Sequence, residues 1–371
     1  MRITAQLIHA PTDTHLWAES YERDMGDVLA LQREVARAIA GEIKVAVTPS
    51  EETRLASARR VNPETYEAYL KGMFHLNKFT PEGYEKGLAY LHQAIEHDPA
   101  DPLAYAGLAL GYSIIGHGPA PSPEALPRAK AAALKALELD DTLAEAHAVL
   151  AEVKLYYDWD WAGAEQAFQR ALELNPNLAE AHGHYAWYLV LLGRKGEALA
   201  EMKRAQELDP LAPIYSAWLG QQYRSAGQYE EAIGEARKSL ELNPDFPVGL
   251  SALGDVYAAK GMYEEAIAAH QKAGAVAPDL GWALGRTYAL AGQKDKARKI
   301  AADLEEEAKN HWGLAEIYTA LGEKDEAFRW LEAGYEYRHN WIPWMGWNPN
   351  YEPLRDDPRF GDLLRRMKLP E

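Results

Sequence analysis

Cysteine is absent from the 371-residue sequence, and basic residues are few relative to acidic ones. Without cysteine the chain has no disulfides, no thiolate nucleophile and no cysteine ligands for zinc, so a metal site would have to use histidine and carboxylates. Lys and Arg total 39 against 56 Asp and Glu, which gives a net charge of −17. Because this charge repels phosphate backbones, no nucleic acid partner is expected.

Long apolar runs are also missing. The longest, residues 185–192, is too short to span a bilayer, and the N-terminus lacks the basic, apolar and small-residue pattern of a signal peptide. The sequence therefore predicts a soluble chain without membrane contact, in the cytoplasm, with the periplasm as an open alternative. With 47% apolar residues, it has enough apolar side chains for a sizeable core.

The sequence is dominated by internal repetition. Prolines recur every 34 residues at Pro176, Pro210, Pro244 and Pro278. Alanines recur with the same period and then at shorter intervals, at Ala164, Ala198, Ala232, Ala266, Ala297 and Ala327. Glycines end the apolar helical runs, at Gly193, Gly227, Gly261, Gly292 and Gly322. Each unit is therefore predicted to be a helix, a glycine turn, a second helix and a proline break.

These units resemble tetratricopeptide repeats. The clearest match is Leu219-Gly220 followed by Tyr223, Gly227, Tyr229, Ala232 and Pro244. Small residues at Gly220, Ala232 and Ser239 would let the two antiparallel helices approach closely. The resemblance implies an all-α fold, a right-handed α-solenoid of about eight helix pairs. An insertion at 116–123, rich in Gly and Pro, is expected to be a loop.

Both ends depart from the repeat. Residues 1–20 alternate like two strands around a turn at 11–13 and predict a β-hairpin, and residues 27–47 have the apolar spacing of one amphipathic helix. The predicted division is a hairpin and linking helix over 1–48, a solenoid over 49–340, and a Trp-rich C-terminal cap over 341–371. The open hairpin edges could pair with a second copy, so a homodimer through residues 2–20 is one hypothesis.

The segments 2–8, 15–17 and 29–36 resemble the last strands and helix of a TolB-like domain, and 157–161 and 353–360 are similar to segments of the same proteins. In bacteria that domain precedes tetratricopeptide repeats in adenylate cyclases, Ser/Thr kinases and CadC-like regulators. The resemblance implies the C-terminal part, or a short relative, of such a regulator. It carries over no cyclase, kinase or DNA-binding activity, because the residues for those activities are not in this sequence.

Catalytic signatures are not found, so the chain is predicted not to be an enzyme and to need no cofactor. An enzyme with an unrecognised site stays a remote alternative. His182 and His184 are two positions apart, which points their rings to different sides of a helix, so no metal site is predicted there. Asp158 and Asp160 could pass for a carboxylate pair, but Asp160 stands where a helix N-cap is needed.

A binding site, if present, is expected in the concave groove of the solenoid, where a partner protein or an extended peptide would bind. The positions that such repeats commonly use for groove contacts hold Tyr156, Glu180, Trp187, Gln221, Arg224, Asp255, Trp282, Arg286, Trp312 and Glu316. The same mixture would suit a groove filled by the chain's own tail. The residues of a carboxylate clamp are missing, because the matching positions hold Gly183, Ala217 and Ser251.

The tail carries three tryptophans at Trp341, Trp344 and Trp347. They are predicted to cover the apolar end of the solenoid together with a last helix that contains Phe360, Leu363 and Leu364. A platform for carbohydrate or peptide is the alternative. The sequence as a whole predicts a non-catalytic scaffold that binds a protein or peptide, as the interaction arm of a bacterial signalling or transcriptional regulator.

Overall fold

The computed structural model describes residues 2–9, 14–22, 28–42, 61–116, 124–307 and 310–369. From residue 63 to residue 336 these residues form eight antiparallel helix pairs, as the repeat spacing predicts. The pairs are α2 Pro63–Leu76 with α3 Pro81–His97, α4 Pro102–Gly116 with α5 Ala125–Leu139, α6 Ala144–Val153 with α7 Trp161–Leu174, α8 Ala179–Leu191 with α9 Lys195–Leu208, α10 Pro213–Ser225 with α11 Tyr229–Leu242, α12 Pro247–Ala259 with α13 Tyr263–Val276, α14 Trp282–Leu290 with α15 Lys294–Glu307, and α16 His311–Leu321 with α17 Lys324–Glu336.

Small residues set the spacing within a pair. The alanine series of the second helices is buried, with exposed fractions of 0% or 1% at all six positions. A Cβ atom on Gly220 of α10 would lie 3.1 Å from the carbonyl oxygen of Ala232 on α11. A larger side chain would therefore push the two helices apart, which is the reason for the small-residue pattern.

The glycine turns have the predicted left-handed backbone. Their φ angles are 71° at Gly193, 76° at Gly227, 75° at Gly261 and Gly292, and 80° at Gly322. In the third pair Trp159 takes this conformation with a φ of 53°, after a π-helical turn at Lys154–Asp158. Asp160 then caps α7 by accepting a 3.0 Å hydrogen bond from the Gly163 amide, which confirms the prediction.

The N-terminal part contains the predicted hairpin. Strand β1, Arg2–His9, pairs antiparallel with strand β2, Thr14–Glu22, and the register shifts between Leu7 and Ile8. Helix α1 follows as Val28–Glu42. The predicted turn at 11–13, the end of the predicted helix at 43–47 and residues 117–123 of the predicted loop at 116–123 lie outside the described residues. No helix in the described ranges has the length and apolarity required to cross a membrane.

The C-terminal segment folds back along the solenoid through two 3₁₀ turns, Ile342–Gly346 and Pro349–Leu354, and ends in helix α18, Pro358–Arg366. Phe360, Leu363 and Leu364 are buried on α18, and Arg366 pairs with Glu332 of α17 at 2.9 Å. The indole Nε1 of Trp161 donates to the Met367 carbonyl at 2.9 Å. The tail therefore connects the last helix pair to the third.

The Trp-rich C-terminal cap is present, with Phe360, Leu363 and Leu364 buried on its last helix, but the position predicted for its three tryptophans needs a correction. Trp341, Trp344 and Trp347 do not cover the end of the solenoid but pack against aromatic side chains of the concave face. The physical reason is the curvature of the solenoid, which brings rings from pairs distant in sequence within reach of one extended segment. Contact with these rings removes apolar surface of the indoles from water, which stabilises the folded tail.

Candidate functional site in the concave groove

The concave face contains a cavity of about 340 Å³. From the second pair onward most of its wall comes from the first helix of each pair. Residues 277–280, which follow the second helix of the sixth pair, and the C-terminal tail complete the wall. All predicted groove residues except Glu180 line it: Tyr156, Trp187, Gln221, Arg224, Asp255, Trp282, Arg286, Trp312 and Glu316. Glu180 lies on α8 in a separate cluster described below. The structure thus brings the other nine together, and their contact with a peptide stays a prediction.

The tail closes one side of this groove. The Trp344 ring stacks on Tyr156 with centroids 5.2 Å apart, and the Trp347 ring meets the edge of Trp187 at 5.3 Å. Trp341 contacts the rings of Trp282 and Trp312 at 6.3 Å and 6.1 Å. The cavity is therefore the part of the groove that the tail leaves open. The sequence suggested two occupants of the groove, a partner peptide and the chain's own tail. The tail fills one part of the groove, and the cavity is the part that it does not fill.

Contacts between distant pairs complete the wall. Phe79, in the turn of the first pair, meets the edge of the Phe246 ring before α12 with centroids 5.7 Å apart. Tyr84 and Val248 also line the cavity. Sequence reasoning missed these residues because the contact joins the first and sixth pairs, and a repeat pattern describes only neighbouring units. The positive φ of 53° at Phe79 marks the turn but leaves no trace in the sequence pattern.

A charged ladder runs along the floor of the groove. Arg286 is 2% exposed and pairs with Asp255 of the preceding repeat and with Glu316 of the next, the latter at 2.5 Å. Burial lowers the pKa of the Arg286 guanidinium, but Asp255 and Glu316 outweigh it and raise that pKa above its ordinary value. Burial likewise would raise the pKa of Asp255, and Arg286, His270 and Arg224 together bring it well below its usual range.

Two asparagines of the tail complete the ladder. The side-chain amides of Asn348 and Asn350 donate to Glu316 at 2.7 Å and 3.0 Å. Arg224 donates to the Asn350 side-chain oxygen at 3.1 Å, and burial lowers the pKa of this arginine. The buried charges of this half of the groove are therefore paired with each other or with the tail.

His270 lies between Asp255 and Thr287. An acid, a histidine and a hydroxyl in this order resemble the triad of an enzyme that uses nucleophilic catalysis. His270 Nδ1 lies 2.9 Å from Thr287 Oγ1, and Nε2 lies 3.2 Å from Asp255 Oδ1. Both His270 and Thr287 are 0% exposed, and the Thr287 hydroxyl donates to the Ala283 carbonyl at 2.9 Å. A substrate has no path to this hydroxyl, so the trio holds α12, α13 and α14 together.

A second cluster consists of Glu152, Glu180 and His184, whose ligand atoms all lie within 4.8 Å of one another. Glu152 Oε2 accepts a 2.5 Å hydrogen bond from Ser113, whereas Oε1 is buried and has no hydrogen-bond partner. Burial and then Glu180 raise the pKa of Glu152 well above its ordinary value, and burial and Glu145 raise the pKa of Glu180 to about 7. These three residues could hold a metal ion.

Sequence reasoning predicted no metal site and did not find this cluster. His182 and His184 do diverge as predicted, because His182 contacts Glu201 at 2.5 Å. Glu180 was assigned to the groove, and Glu152 was not singled out. The available signal was the spacing of Glu180 and His184, which at i and i+4 share one face of a helix.

The fold and groove define an α-solenoid of repeated helix pairs with a partly filled concave site. Residues 220–261 match a family model described as "TPR repeat", and residues 250–281 match one described as "Tetratricopeptide repeat". The same helix pair occurs eight times in the described chain. Residues 220–281 therefore contain tetratricopeptide repeats, and the other helix pairs of the described residues share their fold.

A curated protein of Rhizobium meliloti (strain 1021), named "Putative adenylate cyclase 3", is 32% identical over 153 residues. The match covers 41% of this chain and 26% of that protein, so it spans about a quarter of the relative's length. Among solved structures, the APC/C hetero-tetramer Cut9-Hcn1 matches 88% of this chain and 59% of its own, with 17% identity and a TM-score of 0.57. A monomeric IFIT1 mutant with Gppp-AAAA matches 84% of this chain and 80% of its own, at 18% identity and TM-score 0.51. These two likenesses show the fold.

Proposed function

We propose that this chain is a non-catalytic scaffold whose concave groove binds an extended peptide segment of a partner protein. The observation that carries the proposal is the cavity of about 340 Å³ beside the tail. Aromatic and aliphatic side chains dominate its wall, among them Ile114, Trp187 and Val248. A cavity of this kind takes apolar anchor side chains and excludes water around them.

The charges of the groove favour an apolar anchor over a charged one. Asp255, Arg286 and Glu316 already neutralise one another, so a charged ligand group would have to break an existing pair to gain a new one. The tail gives an internal example of a fitting segment, because it is extended and contacts the groove with indole rings and side-chain amides. A partner peptide is expected to combine aromatic or aliphatic residues with uncharged polar ones.

The experiment uses the full chain as bait for a phage-displayed library of random peptides. Val248→Trp fills the cavity from its half-buried wall, and Leu211→Trp places the same side chain at a position that is 76% exposed and outside the cavity. Enriched peptides should be apolar and should lose at least tenfold in affinity on Val248→Trp but not on Leu211→Trp. Equal affinity for the two variants would contradict a site in the cavity.

For the larger context we propose the interaction arm of a bacterial signalling or transcriptional regulator. The support is the 32% identity to a protein whose name refers to adenylate cyclase, together with the TolB-like resemblance of the hairpin. No cyclase activity is assigned to this chain. Reading the source DNA in frame upstream of the Met1 codon tests the proposal. A continuous frame into a cyclase, kinase or winged-helix domain supports it, and an immediate stop contradicts an arm fused to an output domain.

The hairpin favours a second proposal, self-association. In the described residues the sheet has only the strands β1 and β2, so each strand has one edge without a neighbour. Such edges can be completed by the same hairpin of another copy. Deletion of residues 1–24 should then halve the molar mass measured by light scattering, whereas an unchanged mass would contradict the proposal.

A further inference from the structure

The cluster of Glu152, Glu180 and His184 is built by two neighbouring repeats. Glu152 ends α6 of the third pair, and Glu180 and His184 lie one turn apart on α8 of the fourth. Their ligand atoms, two carboxylate oxygens and one imidazole nitrogen, lie within 4.8 Å of one another. Ligands that share one ion at about 2.0 to 2.2 Å lie about 3 to 4 Å apart. The 3.6 Å between His184 Nε2 and Glu152 Oε1 fits this spacing.

The two carboxyl groups of this cluster have no Lys or Arg counter-charge among the described residues. Glu152 is 0% exposed, and its Oε1 atom, on the side of the cluster, has no hydrogen-bond partner. Among the ion pairs of the described residues, no Lys or Arg pairs with Glu152 or Glu180. A buried carboxylate without a partner costs several kcal/mol, which a bound cation would remove. The 3.6 Å contact to His184 is too long to be the missing hydrogen bond.

Tyr156 orients the histidine. The π-helical turn after Glu152 places the Tyr156 hydroxyl 3.1 Å from His184 Nδ1, which directs Nε2 toward Glu152. A histidine that binds a metal through one nitrogen characteristically donates its other N–H to an oxygen atom. π-turns of this kind are frequent at functional sites. The cluster therefore has three potential metal ligands, and the Tyr156 hydroxyl holds one of them, His184, in its orientation.

We propose that Glu152, Glu180 and His184 bind one divalent transition-metal ion, of the class of Zn²⁺ or Mn²⁺. Two carboxylates and an imidazole suit these ions, and three protein ligands leave a position for water or for a group of a bound partner. The ion links the third and fourth repeats. Through Tyr156, whose ring stacks on Trp344, the site adjoins the tail that closes the groove.

The test titrates tag-free full-length chain, first stripped with a chelator, with ZnCl₂, MnCl₂ and MgCl₂ by isothermal calorimetry. We expect one Zn²⁺ or Mn²⁺ per chain, a raised Tm, and weaker binding of Mg²⁺ because Mg²⁺ disfavours imidazole. Glu152→Gln and His184→Gln should lower Zn²⁺ affinity at least tenfold. Tyr156→Phe, which removes only the hydroxyl, should lower it about 10- to 100-fold.

The matched control is His182→Gln, since His182 lies on the same helix but contacts Glu201 instead of the cluster. This variant should bind Zn²⁺ like the unchanged chain. Glu152→Gln keeps the side-chain shape and an oxygen that can accept the Ser113 hydrogen bond, so circular dichroism should show it folded. The proposal is overturned if neither Zn²⁺ nor Mn²⁺ binds or shifts Tm, if His182→Gln weakens binding as much as His184→Gln, or if Mg²⁺ binds as tightly as Zn²⁺.

Discussion

The two buried charge clusters of the concave face differ in how their charges are balanced. In the ladder of the fifth to eighth pairs, Arg286 lies between Asp255 and Glu316. In the cluster of the third and fourth pairs, Glu152 and Glu180 lie beside one neutral or weakly basic group, His184. Both clusters contain carboxyl groups that are shielded from water, Glu316 at 1% exposure and Glu152 at 0%. The comparison shows that burial alone does not decide whether a charge stabilises the fold; the presence of a counter-charge does.

The pKa values of the carboxyl groups shift in opposite directions in the two clusters. The counter-charge of Arg286 brings the pKa of Asp255 below its ordinary value despite burial, so this carboxylate is ionised in the folded chain. Without such a counter-charge, burial raises the pKa of Glu152. The charges of the ladder are therefore balanced by each other, whereas the carboxyl groups of the other cluster favour an additional positive charge.

The largest effect is expected from breaking the ladder. Arg286→Met leaves Asp255 and Glu316 buried without their cation, which should lower the free energy of unfolding by about 3 to 5 kcal/mol. Urea denaturation measures this loss. Arg298→Met is the control, because Arg298 pairs with Glu323 on the surface and is 53% exposed, so it should cost less than about 1 kcal/mol. Equal losses in the two variants would contradict a special role of the buried ladder.

The contribution of the tail to the ladder is tested by Asn348→Leu. The variant removes the amide that donates to Glu316 at 2.7 Å, and it should cost about 1 to 3 kcal/mol and expose the tail to limited proteolysis. Asn177→Leu removes only an exposed hydrogen bond from Arg204 at 3.2 Å, so it should cost less than about 1 kcal/mol and leave proteolysis of the tail unchanged. Tail cleavage at the same rate in both variants would show that Asn348 does not hold the tail.

The base of the tail should respond to acid. His339 is fully buried beside His311 and accepts a hydrogen bond from the Trp341 amide at 3.2 Å; burial and then His311 lower its pKa to about 3. Because the unfolded chain binds a proton near pH 6.5 and the folded chain does not, stability falls as the pH drops from 6.5 toward 3. At pH 5 the loss should be about 2 kcal/mol.

Urea denaturation at pH 7 and pH 5 measures this loss against His339→Gln, which cannot titrate but keeps an acceptor for the Trp341 amide. The difference in stability between the two pH values should be smaller in the variant by about 2 kcal/mol. Identical pH dependence in the variant and the unchanged chain would contradict the assignment to His339.

The smallest effect, and one of opposite sign, is expected in the uncompensated cluster. In the presence of a chelator, Glu152→Gln should raise the free energy of unfolding at pH 7 by about 1 kcal/mol. Burial raises the pKa of Glu152, so folding must protonate a carboxylate that is ionised in the unfolded chain, and Gln removes that cost. Glu165→Gln is the matched control: Glu165 accepts a 2.6 Å hydrogen bond from Arg194, so its loss should destabilise the chain. Destabilisation by both variants would remove the distinction between the two clusters.

The repeat architecture was predictable because its signals are local. A glycine with positive φ, an alanine between two close helices and a proline after the second helix each depend only on neighbouring residues. The same holds for the Asp160 cap. A tail within the groove was one of two interpretations of the sequence, but the rings that it meets were not predictable. The contact of Trp344 with Tyr156 depends on the accumulated curvature of several pairs.

The candidate sites also contain residues that the sequence predicted and residues that it did not. Nine groove positions follow from their place in each repeat, and the structure brings them together. The cluster was missed because Glu152 and His184 belong to different repeats, and because the π-helical turn that places Tyr156 against His184 has no sequence signature. The residues of the first pair that close the cavity were missed for a similar reason.

The sequence by itself determined the helix pairs, their turns and the face of each helix that forms the groove, since these depend on spacing within about 34 residues. Only the tertiary structure decided which part of the groove the tail fills, which charges find a counter-charge and which do not. The reason is physical: the free energy of a buried charge or ring depends on the groups around it, and in a curved solenoid those groups come from distant repeats.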